Sequence, residues 1–155
     1  MIPRASARLL GSICCVLLPL CALAKEKPPV FHVVSIEFRP GGRLDGGLLQ
    51  ACDVAKIVTD AIQKQKSTKG ASTGIGLRID SVAKLRGRPP PGASMAGTEL
   101  GLTLLAVGSK PMDQPFLCRK DGLVGTSNDA HCGRIAKCSR TIAEQLSTWL
   151  AAPAS

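Results

Sequence analysis

The amino-acid sequence predicts an α+β fold, a two-layer sandwich in which an antiparallel sheet of about four strands carries two helices on one face. Three observations lead to this prediction. Several segments alternate apolar and polar residues, which indicates strands, and two segments repeat apolar residues at helical spacing. Stretches rich in glycine and proline separate these segments. The predicted order is β-α-β-β-β-α.

The first 24 residues have the features of a secretory signal peptide. Arg4 and Arg8 precede a short apolar core, and Ala22 and Ala24 supply the small residues of a cleavage site. The apolar run is too short for a membrane-spanning helix, and no second run of that kind follows. We therefore expect a periplasmic or secreted mature chain without a transmembrane segment. The expected parts are a signal peptide (1–24), a flexible leader (25–29), a single α+β domain (30–151) and a tail (152–155).

A lipid anchor is the alternative to a cleaved signal peptide. Cys21 would carry the lipid, but Leu20 precedes it where a lipid-attachment motif has glycine, alanine or serine. Cys14 and Cys15 fit no better. The sequence favours the cleaved signal peptide.

The first half of the domain combines a strand, a helix and a second strand. Val30–Phe38 is rich in β-branched and aromatic residues and is predicted as a strand. Apolar residues recur at helical spacing over Leu48–Gln63, and Asp45 is the expected cap. Ile75–Arg86 alternates apolar and charged side chains, which predicts a strand with one face toward solvent.

The second half adds two strands and a helix. Glu99–Ser109 alternates again, and Pro115–Gly122 is predicted as a short edge strand because proline cannot donate a ladder hydrogen bond. Residues Lys110–Gln114 are expected to form a tight turn. The final helix is predicted from an apolar stripe between Ile135 and Leu150, with Asn128 or Asp129 as its cap.

The stretch Lys69–Gly76 resembles the glycine-rich turn of a dinucleotide-binding enzyme, but its context excludes that function. Such a turn needs a strand before it and a helix after it. Here a helix and a lysine-rich loop precede it and a strand follows. The chain also has no tyrosine, which a short-chain dehydrogenase would need for catalysis. No cofactor is expected.

The net charge is +9, from twenty basic and eleven acidic residues, and loss of Arg4 and Arg8 with the signal peptide leaves +7. An excess of positive charge favours polyanionic partners. If the loops at one end of the sheet come together, six basic residues would form an anion-binding rim: Lys64, Lys66, Lys69, Lys84, Arg86 and Arg88. Nucleic acid is not expected because the mature chain offers only four aromatic residues for base stacking, most at core positions.

The residues around His131 suggest catalytic or metal chemistry that the spacing does not support. Thirteen residues separate Cys118 from Cys132 and five separate Cys132 from Cys138, whereas structural zinc sites use close cysteine pairs. A cysteine nucleophile needs a free thiolate with a base in reach, and adjacent residues such as His131 and Cys132 rarely meet that need. No catalytic or metal-binding residue is predicted.

The pattern resembles a loose group of small bacterial envelope proteins, many of them lipoproteins. The resemblance covers most of Val30–Leu150 and lies in the stretches GGLLQACDVAKIVTDAI, GLRIDSVAKLRG, TELGLTLLAVGS and IAKCSRTIAEQLSTWL. It implies an accessory or assembly role at the envelope. The signal peptide, the excess of positive charge and the missing catalytic residues lead us to expect a non-enzymatic accessory domain that binds a protein partner or an acidic envelope component. The alternative is a secreted hydrolase or an enzyme inhibitor, for which a pocket of ionisable residues around Asp129 and His131 would be required.

Four cysteines remain in the mature chain, and an even number in an oxidising compartment predicts two disulfides. Cys132 and Cys138 cannot pair if both lie in the last helix, because six helical residues rise about 9 Å. If the two helices run in the same direction, their early turns lie at one level. We therefore expect Cys52–Cys138 across the helical layer and Cys118–Cys132 across the preceding loop.

Overall fold

The computed structural model describes residues 30–65, 72–86, 96–122 and 125–152. They form an α+β fold, as the sequence predicts, with one four-stranded sheet and a layer of helices. The elements are β1 (Val30–Leu44), α1 (Gly46–Ala51), α2 (Val54–Gln63), β2 (Ser72–Arg86), β3 (Ala96–Val107), β4 (Lys110–Gly122) and α3 (Asn128–Ala151). The predicted signal peptide and leader lie outside the described residues. None of the described helices is long and apolar enough to cross a membrane.

The strands lie in the order β1-β2-β3-β4. β3 is antiparallel to both of its neighbours, as expected, but β1 is parallel to β2, so the sheet is mixed. The prediction of an all-antiparallel sheet is wrong for this one pair. A helical crossover connects the two strands, and such a crossover returns the chain to the end where it started, which makes the strands parallel.

The helices form one layer on one face of the sheet, as predicted. α2 packs over β1, α3 packs over β3 and β4, and α2 and α3 contact each other. Fully buried leucine and isoleucine side chains fill the space between the layers, and each contributes about 1.5–3 kcal/mol by leaving water. The largest are Leu48, Ile75, Leu77, Ile79, Leu100, Leu102, Leu104, Ile135, Ile142 and Leu146.

Several element boundaries differ from the sequence-based ones. The first helix is interrupted at Cys52, and Asp53 caps the second part by accepting a hydrogen bond from the Lys56 amide at 3.1 Å. Asp45 caps α1 as expected, at 2.9 Å from the Leu48 amide. The cap of α3 is Ser127, not Asn128 or Asp129.

β1 and β4 differ most from their predicted lengths. β1 continues to Leu44 across a bulge, and β4 begins at Lys110 because the tight turn lies at Gly108, whose φ of +59° suits glycine.

The four cysteines of the described residues form two disulfides, as expected, but the pairs are different from the predicted ones. The bonds are Cys52–Cys132 and Cys118–Cys138, with Cα atoms 5.6 and 5.4 Å apart. The predicted pairs Cys52–Cys138 and Cys118–Cys132 are therefore wrong, although one bond does join α3 to the segment between α1 and α2.

The correct pairing follows from the rise of each element. Cys118 lies four residues before the end of β4, which corresponds to about 13 Å of strand. Cys138 lies ten residues after the start of α3, which corresponds to about 15 Å of helix. The chain reverses between β4 and α3, so these two residues reach the same level. Cys132 is only about 6 Å along α3 and meets Cys52 at the start of α2.

Candidate functional site

A small cleft lies on the seam between α2 and α3 and encloses about 160 Å³. Its floor is apolar, because the small side chains of Ala61 and Ala136 let the two helices approach beside Ile57. Its rim is charged: α2 contributes Asp60 and Lys64, and α3 contributes Arg140.

The rim carries a positive excess. Lys56 Nζ donates to Asp60 Oδ2 at 2.8 Å, and this hydrogen bond holds the pKa of Asp60 below its ordinary value. Lys56 therefore already satisfies Asp60. In the part of the chain that the structure describes, no carboxylate lies within 4 Å of the Lys64 ammonium or the Arg140 guanidinium. Both cations keep their donors for a ligand.

The structure brings only part of the predicted rim to this cleft. Lys64 lines it, but Lys84 and Arg86 lie at the far end of β2. The Lys84 ammonium donates to Asn128 Oδ1 at 3.2 Å, and Asn128 begins α3 twelve residues before Arg140, about 18 Å along the helix. The two groups of cations do not share one end of the sheet. Lys66, Lys69 and Arg88 lie outside the described residues.

Sequence reasoning missed Arg140, although a signal for it exists. Cys132, Ala136 and Arg140 follow one another at four-residue spacing, so they lie on one stripe of α3. Because Cys132 is bonded to Cys52, that stripe faces the first helical segment. Knowledge of the disulfide would have placed Arg140 opposite α2.

A buried polar cluster lies near the start of α3, where the helix packs against β3. The Thr98 hydroxyl is 2.8 Å from His131 Nδ1 and accepts from Arg134 Nε at 3.1 Å. Arg134 Nη2 also donates to the Gly125 carbonyl at 2.6 Å. The direction of the hydrogen bond between the Thr98 hydroxyl and His131 Nδ1 depends on which ring nitrogen of His131 carries the proton. The cluster fastens the first turns of α3 to the sheet and to the preceding loop.

This arrangement does not support catalysis by His131. Cys132 is bonded to Cys52 and has no thiol, so it cannot act as a nucleophile beside His131. His131 is buried, while Asp129 is exposed. Within the described residues, no group of three or more His, Cys, Asp or Glu side chains could hold a metal ion.

The surroundings of His131 predict a pH dependence of stability. Burial, and then the charges of Arg134 and Lys84, lower the pKa of His131 below 6.5, and Asp45 opposes this only in part. The unfolded chain therefore binds more protons than the folded chain just below pH 6.5. The free energy of unfolding should be constant above that pH and should decrease as the pH falls below it.

Urea unfolding at pH 7.5, 6.5 and 5.5 measures this effect. A His131→Asn variant is the control, because it keeps a hydrogen-bond acceptor near Thr98 but has no imidazole. The wild-type protein should lose stability between pH 6.5 and 5.5 and the variant should lose less. Equal losses would show that His131 does not cause the dependence.

The sheet face away from the helices is polar, as the alternation in β2 predicts. Asp80 accepts hydrogen bonds from Arg78 Nε at 2.8 Å and from the Thr103 hydroxyl, and Arg39 Nη1 lies 3.9 Å away. The Asp80 carboxylate thus accepts hydrogen bonds from residues of β2 and β3, and an arginine of β1 lies nearby.

Glu99 is the second carboxylate of this face that is bonded to arginine, and it is almost fully buried. Burial alone would raise its pKa, but hydrogen bonds from Arg119 and Ser81, with the charges of Arg119 and Arg43, lower it overall. Arg119 Nε donates at 2.8 Å, whereas Arg43 Nη1 lies 3.9 Å away. Each of these two carboxylates is therefore bonded to one arginine and approached by a second.

An open apolar groove of about 540 Å³ lies between the second half of α3 and β4. Phe116 and the half-exposed ring of Trp149 form its apolar part, and Glu144 and Gln145 lie at its rim. Glu144 is the only ionisable residue among the described residues that line it.

No protein-family model and no curated protein matches the sequence. Three solved structures are similar to this chain. A minor lipoprotein from Acinetobacter baumannii is 14% identical, with a TM-score of 0.40 over 75% of this chain and 94% of that chain. A Caulobacter crescentus protein described as a lipoprotein is 19% identical, with a TM-score of 0.41 over 81% and 94%.

The third structure is a Xanthomonas campestris protein of family DUF330. It is 10% identical, with a TM-score of 0.44 over 79% of this chain and 85% of that chain. Two of the three are described as lipoproteins, the class of protein that the sequence pattern resembles. At these identities and TM-scores, the similarity transfers no function to the chain.

Proposed function

We propose that this chain is a non-enzymatic accessory protein of the bacterial cell envelope, periplasmic or secreted, that binds an acidic envelope component in the cleft between α2 and α3. One observation carries the proposal. Lys64 and Arg140 reach the same cleft from two different helices, and each keeps its donors free of carboxylates within the described residues.

The framework around the cleft supports binding rather than chemistry. The Cys52–Cys132 bond fixes the register of the two helices, so the positions of Lys64 and Arg140 are set before a ligand arrives. Preorganised donors lose less entropy on binding. The paired cysteines also favour an oxidising compartment, which agrees with the signal peptide.

The ligand chemistry follows from the cleft. An ammonium and a guanidinium above an apolar floor suit a phosphate or carboxylate group attached to a less polar body. Anionic lipids and phosphorylated glycans of the envelope have that character. The net positive charge of the domain should speed their approach.

A vesicle-binding measurement tests the proposal. We expect the mature protein to sediment with vesicles containing 30% phosphatidylglycerol in 50 mM salt, but not with neutral phosphatidylcholine vesicles. Each basic residue near an anionic surface contributes about 1 kcal/mol, so Lys64→Glu or Arg140→Glu should weaken binding about tenfold or more.

The control is Arg86→Glu, which makes the same change of charge at the last residue of β2, away from the cleft. It should weaken binding no more than about threefold, because only diffuse attraction is lost. Absence of binding would contradict the proposal, as would equal losses in the Arg86 and Arg140 variants.

A further inference from the structure

β1 forms one edge of the sheet, and along Val30–Phe38 it hydrogen-bonds on one side only. That side pairs with β2, and no strand of the described residues pairs with the other side. An edge strand presents unpaired backbone N–H and C=O groups that can pair with another chain.

The opposite edge of the same sheet is protected. β4 contains Pro111 and Pro115, which have no N–H to donate, and charged residues follow at Arg119, Lys120 and Asp121. Proline and charge are the usual means by which proteins prevent pairing at an edge. Val30–Phe38 contains no proline and only Glu37 as a formal charge at neutral pH. The two edges are therefore built differently.

Apolar side chains accompany the open edge. Phe31, Val33 and Ile36 pack against the core, whereas Val34 and Phe38 are 62% and 42% exposed. Val34 lies in a bulge and covers Gly74 of β2, where an added Cβ would come within 2.7 Å of Val34 Cγ1. The glycine thus makes room for an apolar side chain that remains mostly in water.

Two arginines mark the point where the open edge ends. The bulge at residues 39–42 interrupts the pairing of β1 with β2, and Gly42 packs so closely on the Asp80 carbonyl that an added Cβ would lie 2.6 Å from it. Arg39 and Arg43 flank this bulge, mostly exposed, and lie 3.9 Å from carboxylates that other arginines already hold at 2.8 Å. Both therefore keep donors for another acidic group.

We propose that β1 binds an extended apolar segment of another protein by strand addition, with an acidic residue of that segment beside Arg39 and Arg43. Backbone hydrogen bonds would supply affinity, and contacts with Val34 and Phe38 and the acidic residue would supply specificity. A second copy of this chain fits less well, because each mature copy carries a net charge of +7 and copies repel. The surface is separate from the cleft between α2 and α3.

Peptide binding tests the chemistry of the partner. The probe is a nine-residue peptide of alternating valine and threonine with two glutamates at one end, measured by fluorescence anisotropy on the mature, oxidised protein. We expect it to bind at least about tenfold more tightly at low salt than the same peptide ending in two lysines. Methylation of every second backbone nitrogen should abolish binding, because it removes the donors of a strand. The proposal is overturned if the methylated peptide binds, or if none of the peptides binds.

A matched pair of variants locates the site. Val34→Lys should weaken binding at least about tenfold, since lysine on an edge opposes strand pairing. Leu117→Lys makes the same change at a 51% exposed residue of β4 and should leave binding unchanged. An equal loss in both variants places the peptide elsewhere and overturns the proposal.

Amide hydrogen exchange separates the other occupants. The edge-facing amides of residues 30–38 should exchange rapidly in the free protein and slowly with the glutamate-ended peptide. Protection in the free monomer would mean that the chain covers its own edge. Protection that rises with protein concentration would mean that a second copy does so. Either result overturns the proposal.

Discussion

A variant with alanine in place of both Cys52 and Cys132 should lose about 4–5 kcal/mol of unfolding free energy. The bond joins residues 80 positions apart, and on the chain-entropy account a loop of that length restricts the unfolded chain by about this amount. Domains of this size have a total stability of about 5–15 kcal/mol, so the variant should be close to unfolding at 37 °C. Urea unfolding of the oxidised protein at 25 °C measures the loss.

The second disulfide provides the comparison. Cys118 and Cys138 are 20 positions apart, so replacing both with alanine should cost less, about 3 kcal/mol. Non-reducing peptide mapping of the wild-type protein should recover Cys52 with Cys132 and Cys118 with Cys138. A Cys52–Cys138 peptide, or a larger loss from the Cys118 and Cys138 variant, would contradict the pairing.

The two bonds also explain why the cleft lies where it does. Cys118–Cys138 fastens the middle of α3 to β4, and Cys52–Cys132 fastens the start of α3 to the helical segment before it. Lys64 at the end of α2 and Arg140 on α3 therefore both line the cleft. The disulfides supply the rigidity that a site made of two long, flexible side chains would otherwise lack.

The sequence predicts the fold class because the hydrophobic pattern is strong in β2 and β3, the two central strands of the sheet. Ile75, Leu77 and Ile79 on β2, and Leu100 and Leu102 on β3, alternate with residues on the other face, and the structure buries them fully. The parallel direction of β1 and β2 follows from the helix between them, which the sequence does predict. That the two strands are neighbours in the sheet depends on how this helical crossover packs, and no residue of β1 indicates it. The sequence does not predict the bulge in β1 for a different reason: its proline and glycines are equally typical of a loop.

The candidate site was predicted less completely. Lys64 could be found because lysines cluster in sequence after the first helix, but Arg140 lies 76 positions away and only the packing of α3 on α2 brings it near. Oxidation of the cysteines could be predicted from their even number after residue 24 and from the predicted signal peptide. Their connectivity could not, because it depends on the lengths of β4 and α3 and on where each begins. Those boundaries are the least certain part of a sequence pattern.

Replacing Thr98 with valine should cost about 3 kcal/mol, although the two side chains have nearly the same shape. The hydroxyl is fully buried and is the partner of both His131 Nδ1 and Arg134 Nε. Valine would leave two buried polar groups unsatisfied, and each such group costs about 1–3 kcal/mol. The expected loss therefore comes from the partners left behind, and urea unfolding at pH 7.5 measures it.

Two further variants separate the hydroxyl from the packing around it. Thr98→Ser keeps the hydroxyl and removes one methyl group, so it should cost only about 1 kcal/mol. In a His131→Leu background, the Thr98→Val change should cost less than in the wild-type protein, because one of the two unsatisfied groups is already gone. If serine is as damaging as valine, the cavity left by the methyl group dominates and the hydrogen bonds contribute little. If valine is harmless in both backgrounds, the cluster of Thr98, His131 and Arg134 does not hold α3 to the sheet.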